Sequence, residues 1–149
     1  MISLKRATFE DAKIITEIKT RAYNQEINTY LGRNGGPPGY DSIDSEIDII
    51  NSLIAYKICL NTTIIGAFFL IPKDDLTMYF EDFVIDPCYQ GNGYGFKTLK
   101  LLESMYPHIK SWYLTTPIFS IGNQHLYKKF GFKEISRDED EITYCKSTS

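Results

Sequence analysis

Positive charge, histidine and paired cysteine are all scarce in this chain, and each scarcity closes off a class of function. Sixteen lysines and arginines face nineteen acidic residues, for a net charge of −3. The basic footprint on which affinity for a nucleic-acid backbone depends is therefore missing. Two histidines (His108, His125) and three cysteines (Cys59, Cys88, Cys145) are spread without a C-x-x-C pair. They match neither a disulfide framework nor a usual metal-ligand spacing, so no metal is expected. Cys88 reads as a small buried hydrophobe rather than a nucleophile, because neither histidine is placed by sequence to activate it; His125 reads as a surface residue. No apolar run approaches the roughly 18 residues of a membrane helix. The opening MISLKRATFED lacks the pattern of a secretion signal. The expectation is a cytoplasmic protein with reduced thiols, partnered by neither nucleic acid nor membrane.

What is present is aromatic and apolar. Eleven tyrosines and nine phenylalanines sit in a chain that is 43% hydrophobic, which excludes disorder and suits one domain spanning residues 1–149. ISLKRA alternates as a short strand, and Thr8 with Asp11 three residues on resembles a capping box. Ile14, Ile18 and Ala22 then recur at i, i+4 along a helix from Phe9 to about Tyr23. Asp41 or Ser42 opens a second helix with Ile43, Ile47 and Ile50 on one face. LIAYKICL and TIIGAFFLI read as strands around an Asn61-Thr62 turn, and MYFEDFVI as a third. A helix from Phe96 to Tyr106, the strand SWYLTT, a short helix from Asn123 to Phe130 closed by Gly131, and the strands FKEIS and EITYC complete the chain. The order β-α-α-β-β-β-α-β-α-β-β predicts an α/β fold of the α+β type: a mixed sheet of six to seven strands flanked by about four helices.

One junction concentrates backbone freedom. In DPCYQGNGYGFKT (residues 86–98), Gly91, Gly93 and Gly95 lie between the third apolar strand and the following helix. A G-x-G-x-x-G fingerprint would need glycine where Phe96 stands, and a P-loop would need glycine immediately before Lys97; both nucleotide readings fail on spacing. What remains is strand, Pro87, Gln90-x-x-Gly93-x-Gly95, helix. Gly93 and Gly95 permit positive φ and close approach of a ligand, and successive N–H groups at a helix N-terminus suit a pyrophosphate. A plain flexible turn is the alternative.

Gln90-Gly91-Asn92-Gly93-Tyr94-Gly95 resembles the Q/R-x-x-G-x-G/A signature of the GNAT superfamily of N-acetyltransferases. The preceding FVIDP strand and the later LYKKFGF segment (Leu126 to Phe132) resemble that family too. The likeness is specific from about Met78 to Phe132 and topological before it. It departs at Ser120, where many relatives carry an asparagine; Asn123 is the nearest one here. The resemblance implies a GNAT-like acyl-CoA acyltransferase fold in which acetyl-CoA lies between two splayed strands. Phe83, Val84 and Ile85 would then offer backbone groups to the pantetheine arm. Gln90, Gly91, Asn92, Gly93, Tyr94, Gly95 and Phe96 would hold the pyrophosphate, with Asn123 either bonding the cofactor or capping its helix.

The implied reaction is direct attack of an amine on the acetyl thioester. An alkylammonium of pKa near 10.4 must first lose a proton. Glu81 and Asp82 are the candidate bases, directly or through a water relay. They are expected on opposite faces of their strand, since side chains alternate, with Glu81 preferred; either is equally read as a solvent-facing charge. Tyr127, in the Y-x-x-x-G-F spacing, is the candidate acid for the departing thiolate, or else a packing residue. A backbone N–H on the Phe83–Ile85 strand would meet the developing negative charge. The acceptor, a small-molecule or peptide amine, is not legible. The GRNGGPPGY loop, with Glu26, Tyr30, Tyr40, Tyr56 and Tyr79, is a candidate aromatic pocket for it or a purely structural loop. A monomer or homodimer is expected. A non-catalytic acyl-CoA sensor and a structural domain whose turn binds nothing are the competing readings.

Overall fold

The computed structural model describes residues 1–148. Seven strands form one sheet: β1 (Ile2–Arg6), β2 (Ile54–Leu60), β3 (Thr63–Asp74), β4 (Thr77–Ile85), β5 (Ser111–Pro117), β6 (Lys133–Arg137) and β7 (Glu141–Ser147). They lie in the order β1-β2-β3-β4-β5-β7-β6. Every neighbouring pair is antiparallel except β4 with β5. Four helices cover the sheet: α1 (Ala12–Leu31), α2 (Ile43–Ser52), α3 (Tyr94–Met105) and α4 (Ile121–Phe130). This is the mixed α/β architecture and element order expected from the sequence.

Local chemistry accounts for the boundaries. The Thr8 N–H donates to the Asp11 carboxylate at 2.8 Å, closing the turn that leads into α1. Ser42 Oγ accepts from the Ser45 N–H and opens α2. Gly131, at φ 114, ends α4 in the left-handed region. Asn61 supplies the positive φ of the β2–β3 hairpin.

Two faces of the sheet are covered differently. Residues Ile15, Ile18 and Ala22 of α1 bury against Ala55, Ala67 and Val84 on one face. On the other, Leu99 and Leu102 of α3 and Tyr127 of α4 join Phe80, Phe83, Leu114, Ile142 and Tyr144 in the larger core. Of the stripe expected on α1, Ile18 and Ala22 are buried but Ile14 is exposed; Ile15 takes its place, and Lys19 is buried beside them. Likewise α2 exposes Ile43 and buries Glu46. An ionic partner inside the fold overrides apolar periodicity at both places.

Two further expectations are corrected. Cys88 is exposed, because it lies in the short Pro87–Tyr89 turn outside both core layers. Tyr56 cannot join Glu26 in an acceptor pocket. It is buried in the core, stacked on Phe68 with ring centroids 5.2 Å apart and hydrogen-bonded to the Tyr106 hydroxyl.

Candidate active site

The parallel β4–β5 pairing lasts only three residues, Thr77–Tyr79 against Ser111–Tyr113. Beyond it β5 stays paired to β7 as far as Pro117, and β4 stays paired to β3 as far as Ile85. The two strands therefore part into a V, and β4 from Phe80 onward has no strand on its β5 side. Backbone groups along that edge are free to pair with an extended ligand.

The glycine-rich turn closes one end of the V. Gly91 and Gly93 have φ of 80° and 78°, and open space surrounds the place where either would carry a Cβ. Gly95, expected to share that conformation, is different. It lies in the first turn of α3, where a Cβ would come within 2.9 Å of Leu126 Cδ2; its lack of a side chain lets α3 approach α4. The Gln90 side chain donates to the Ile85 carbonyl at 2.9 Å and ties the turn to the end of β4. The Gln90 N–H is bonded to Pro87 and the Lys97 N–H to Gly93. Between them, the N–H groups of Gly91 to Phe96 find no acceptor among the described residues. Six amides at a helix N-terminus form an anion cradle.

A cavity of about 480 Å³ runs from this cradle into the V. Its walls include Phe83, Val84 and Ile85 of β4, Gln90, Gly91, Gly93, Tyr94 and Gly95 of the turn, Asn123 of α4, and Tyr23, Glu26 and Tyr30 of α1. Asn123 lies inside α4, which begins at Ile121, so it lines the cavity rather than capping the helix. The residue before α4, Ser120, is fully buried and donates its hydroxyl to Glu26 Oε1 at 2.7 Å. Burial pushes the Glu26 carboxyl above its ordinary pKa, and the Ser120 hydrogen bond partly offsets this.

Tyr127 is buried in the core and is not one of the residues lining the cavity; it lies edge-on to Phe132 at 5.9 Å and tilted to Tyr144 at 6.1 Å. Burial raises its phenol pKa strongly, and the nearby Glu26 and Glu81 carboxylates raise it further. The hydroxyl therefore stays protonated across the physiological range.

Glu81 and Asp82, expected on opposite faces, both turn toward the α1 side. Between the pairs Phe69↔Glu81 and Ala67↔Val84, β3 contributes one residue and β4 two. This β-bulge puts Asp82 at φ 57 and breaks the alternation. Asp82 is consumed by structure: it accepts from Lys19 Nζ at 2.5 Å and from the Tyr23 hydroxyl. Lys19, itself 2% exposed, also bonds Glu46 at 2.5 Å. Glu81 is half-buried, and its carboxylate has no hydrogen-bond partner among the described residues. Burial, then the charges of Asp82 and Glu141, push its pKa up to about 7. A carboxyl poised there suits a general base.

Sequence reading did not identify Lys19, Tyr23 or Glu46. A lysine on the apolar stripe between Ile18 and Ala22 was the available signal, since such a residue is buried only with a counter-charge.

The donor set fits a long ligand with phosphates at one end and peptide-like amides along its length, as in an acyl-CoA. Comparisons with known proteins agree. Residues 52–134 match the acetyltransferase (GNAT) domain family, and the chain belongs to that family. Its fold is similar to the PaiA N-acetyltransferase of Thermoplasma acidophilum, solved with coenzyme A, at TM-score 0.82 and 16% identity over 99% of both chains. It is also similar to an acetyltransferase from Thermus thermophilus, at TM-score 0.80 and 13% identity over 99% of this chain and 97% of that one. The spermidine N-acetyltransferase of Vibrio cholerae, solved with coenzyme A and spermine, aligns at TM-score 0.73 and 17% identity over 98% and 95%. No curated protein matches the sequence.

Proposed function

We propose that this protein transfers the acetyl group of acetyl-CoA to a primary amine by direct attack. The observation that carries the reading is the run of six unpaired amides, Gly91 to Phe96, opening into the cavity beside the free edge of β4. In this reading those amides hold the pyrophosphate, and the Phe83–Ile85 backbone pairs with the pantetheine arm. Asn123 and Glu26 flank the arm from α4 and α1. Bound acetyl-CoA supplies an activated thioester; the remaining chemistry belongs to the chain.

Glu81 takes the proton from the acceptor's ammonium group, which is unreactive until it does so. With its pKa near 7, a large fraction is ionised at neutral pH, and the protonated form releases its proton readily. A β4 backbone N–H meets the negative charge that develops on the carbonyl oxygen. Tyr127 serves the departing thiolate. Its phenol is held protonated by its surroundings and is a weaker acid than the thiol, so it stabilises the sulfur's growing charge as a hydrogen-bond donor and keeps its proton; the thiolate leaves as the anion and is protonated by solvent. The acceptor enters from the α1 side, where Glu81 and Glu141 favour a cation. The spermine bound by the Vibrio cholerae neighbour makes polyamines sensible first acceptors to try.

The test is thiol release from acetyl-CoA in the presence of a panel of polyamines, amino acids and peptides. At least one amine should be acetylated, and Tyr127→Phe should lower kcat by about 10²-fold or more while leaving acetyl-CoA affinity intact. Acetyl-CoA binding with no acetylated amine, and wild-type behaviour of Tyr127→Phe, would instead support a non-catalytic acyl-CoA sensor.

A further inference from the structure

Asp82 poses a problem of its own. Non-glycine residues avoid φ near 57°, because Cβ crowds the following carbonyl in the left-handed region. Its carboxylate also points into the seam between α1 and the sheet. A residue in such a conformation persists only where its surroundings over-determine it. Here they do: Lys19 Nζ holds Asp82 Oδ2 at 2.5 Å, the Tyr23 hydroxyl donates to Oδ1, and Glu46 Oε1 holds Lys19 from α2 at 2.5 Å. Lys19 and Glu46 are both almost wholly buried. Three elements, α1, α2 and β4, are thus joined through Lys19.

Phe83, Val84 and Ile85 follow Asp82 directly and line the cavity. The bulge takes up Asp82 and Phe83 and sets the register in which Val84 and Ile85 pair with β3, and hence which backbone groups of this segment face the open side of the V. Tyr23 is likewise a cavity wall, and its hydroxyl is aimed by the same carboxylate.

We propose that Lys19 and Glu46 are positioning residues for the cofactor cleft: by clamping Asp82 in the left-handed conformation they fix the bulge and the β4 edge that follows it. The inference rests on the reading of the V as an acetyl-CoA site. Neither residue lines the cavity, so they act on a ligand indirectly, and the glycine variant below separates the route through Asp82 from a shift of α1.

A glycine at position 82 separates this role from ordinary stability. Glycine adopts positive φ without a clamp, so it replaces what the ion pairs do for the backbone. The variant Lys19→Met/Glu46→Gln leaves the partly buried Asp82 carboxylate without its counter-charge. It should bind acetyl-CoA about tenfold or more weakly, since small displacements of a positioning strand are costly. Adding Asp82→Gly should bring affinity back toward the wild-type value, although the triple variant has lost every ion pair of the clamp. Hydrogen exchange across residues 80–86, read without ligand, should rise in the double variant and fall again in the triple. Unchanged affinity in the double variant, or a loss that glycine does not repair, would overturn the proposal. If the double variant does not fold, the triple variant decides, with near-wild-type binding as support and weak binding as refutation. A wild-type protein that binds no acetyl-CoA would refute the cofactor reading instead, and the exchange pattern would still judge the clamp.

Discussion

Replacing Glu81 by glutamine should stabilise the protein and disable it at once. The Glu81 carboxyl is pushed from an ordinary 4.5 up to about 7 by burial and by the charges of Asp82 and Glu141. Below pH 4.5 it is protonated whether the chain is folded or not, and it opposes nothing. As pH rises through that window, the unfolded chain releases the proton first and the folded state loses stability relative to it; the loss is complete above about pH 7. Each pH unit is worth about 1.4 kcal/mol, which sets a ceiling of about 3 kcal/mol for the whole window. The carboxyl is only half-buried, and solvent screening brings the effect down to about 1–2 kcal/mol. Glutamine is neutral throughout and nearly isosteric. Thermal melts of wild type and Glu81→Gln should therefore nearly coincide at pH 4.5 and separate at pH 8, with the variant higher by about 3–6 °C. The same variant should lose about 10²-fold or more in kcat/KM if Glu81 is the base. A gap between the two melts that does not depend on pH would refute the raised pKa. Full activity in the variant would remove Glu81 from the mechanism.

Glycine positions give sharper tests of the fold. At Gly66 a Cβ would lie 2.4 Å from the Val84 carbonyl oxygen, a backbone atom that cannot rotate away; Gly66→Ala should cost about 1–3 kcal/mol by urea denaturation and weaken acetyl-CoA binding by shifting β4. Gly93→Val meets no neighbour but must hold φ 78°. It should cost about 1–2 kcal/mol of stability and reduce acetyl-CoA affinity in calorimetry. Ser120→Ala removes the donor to Glu26. It should destabilise the fold by about 1–3 kcal/mol where that carboxylate is ionised, and by less under acid conditions where it is protonated.

Much of this architecture is legible in the sequence because it depends on local signals. Apolar periods of two and of about 3.6 residues, Asn61 at a hairpin, and Gly131 after a helix mark element order without reference to tertiary structure. The glycine-rich turn is legible for the same reason, since Gly91 and Gly93 hold positive φ angles that only their own segment sets. What escapes a sequence reading depends on distant partners. The bulge at Asp82 places its carboxylate against Lys19, 63 residues earlier, and no strand pattern within β4 encodes that. The same pair pulls Lys19 and Glu46 inward against the apolar stripes of α1 and α2. Gly95 falls within the signature and so reads as a ligand contact, whereas its missing side chain lets α3 pack on Leu126. Cys88 reads as a core residue by composition, yet Asp86 and Pro87 place it on an exposed turn.

The central claim is that the amides from Gly91 to Phe96 hold the pyrophosphate of an acyl-CoA. It is tested most directly by a backbone amide NMR titration with acetyl-CoA, with NAD as the control dinucleotide. Saturable shifts concentrated on Gly91 to Phe96 and on Phe83 to Ile85, produced by acetyl-CoA and not by NAD, are the predicted result. No shift at millimolar acetyl-CoA, or shifts that leave both segments untouched, would contradict the account.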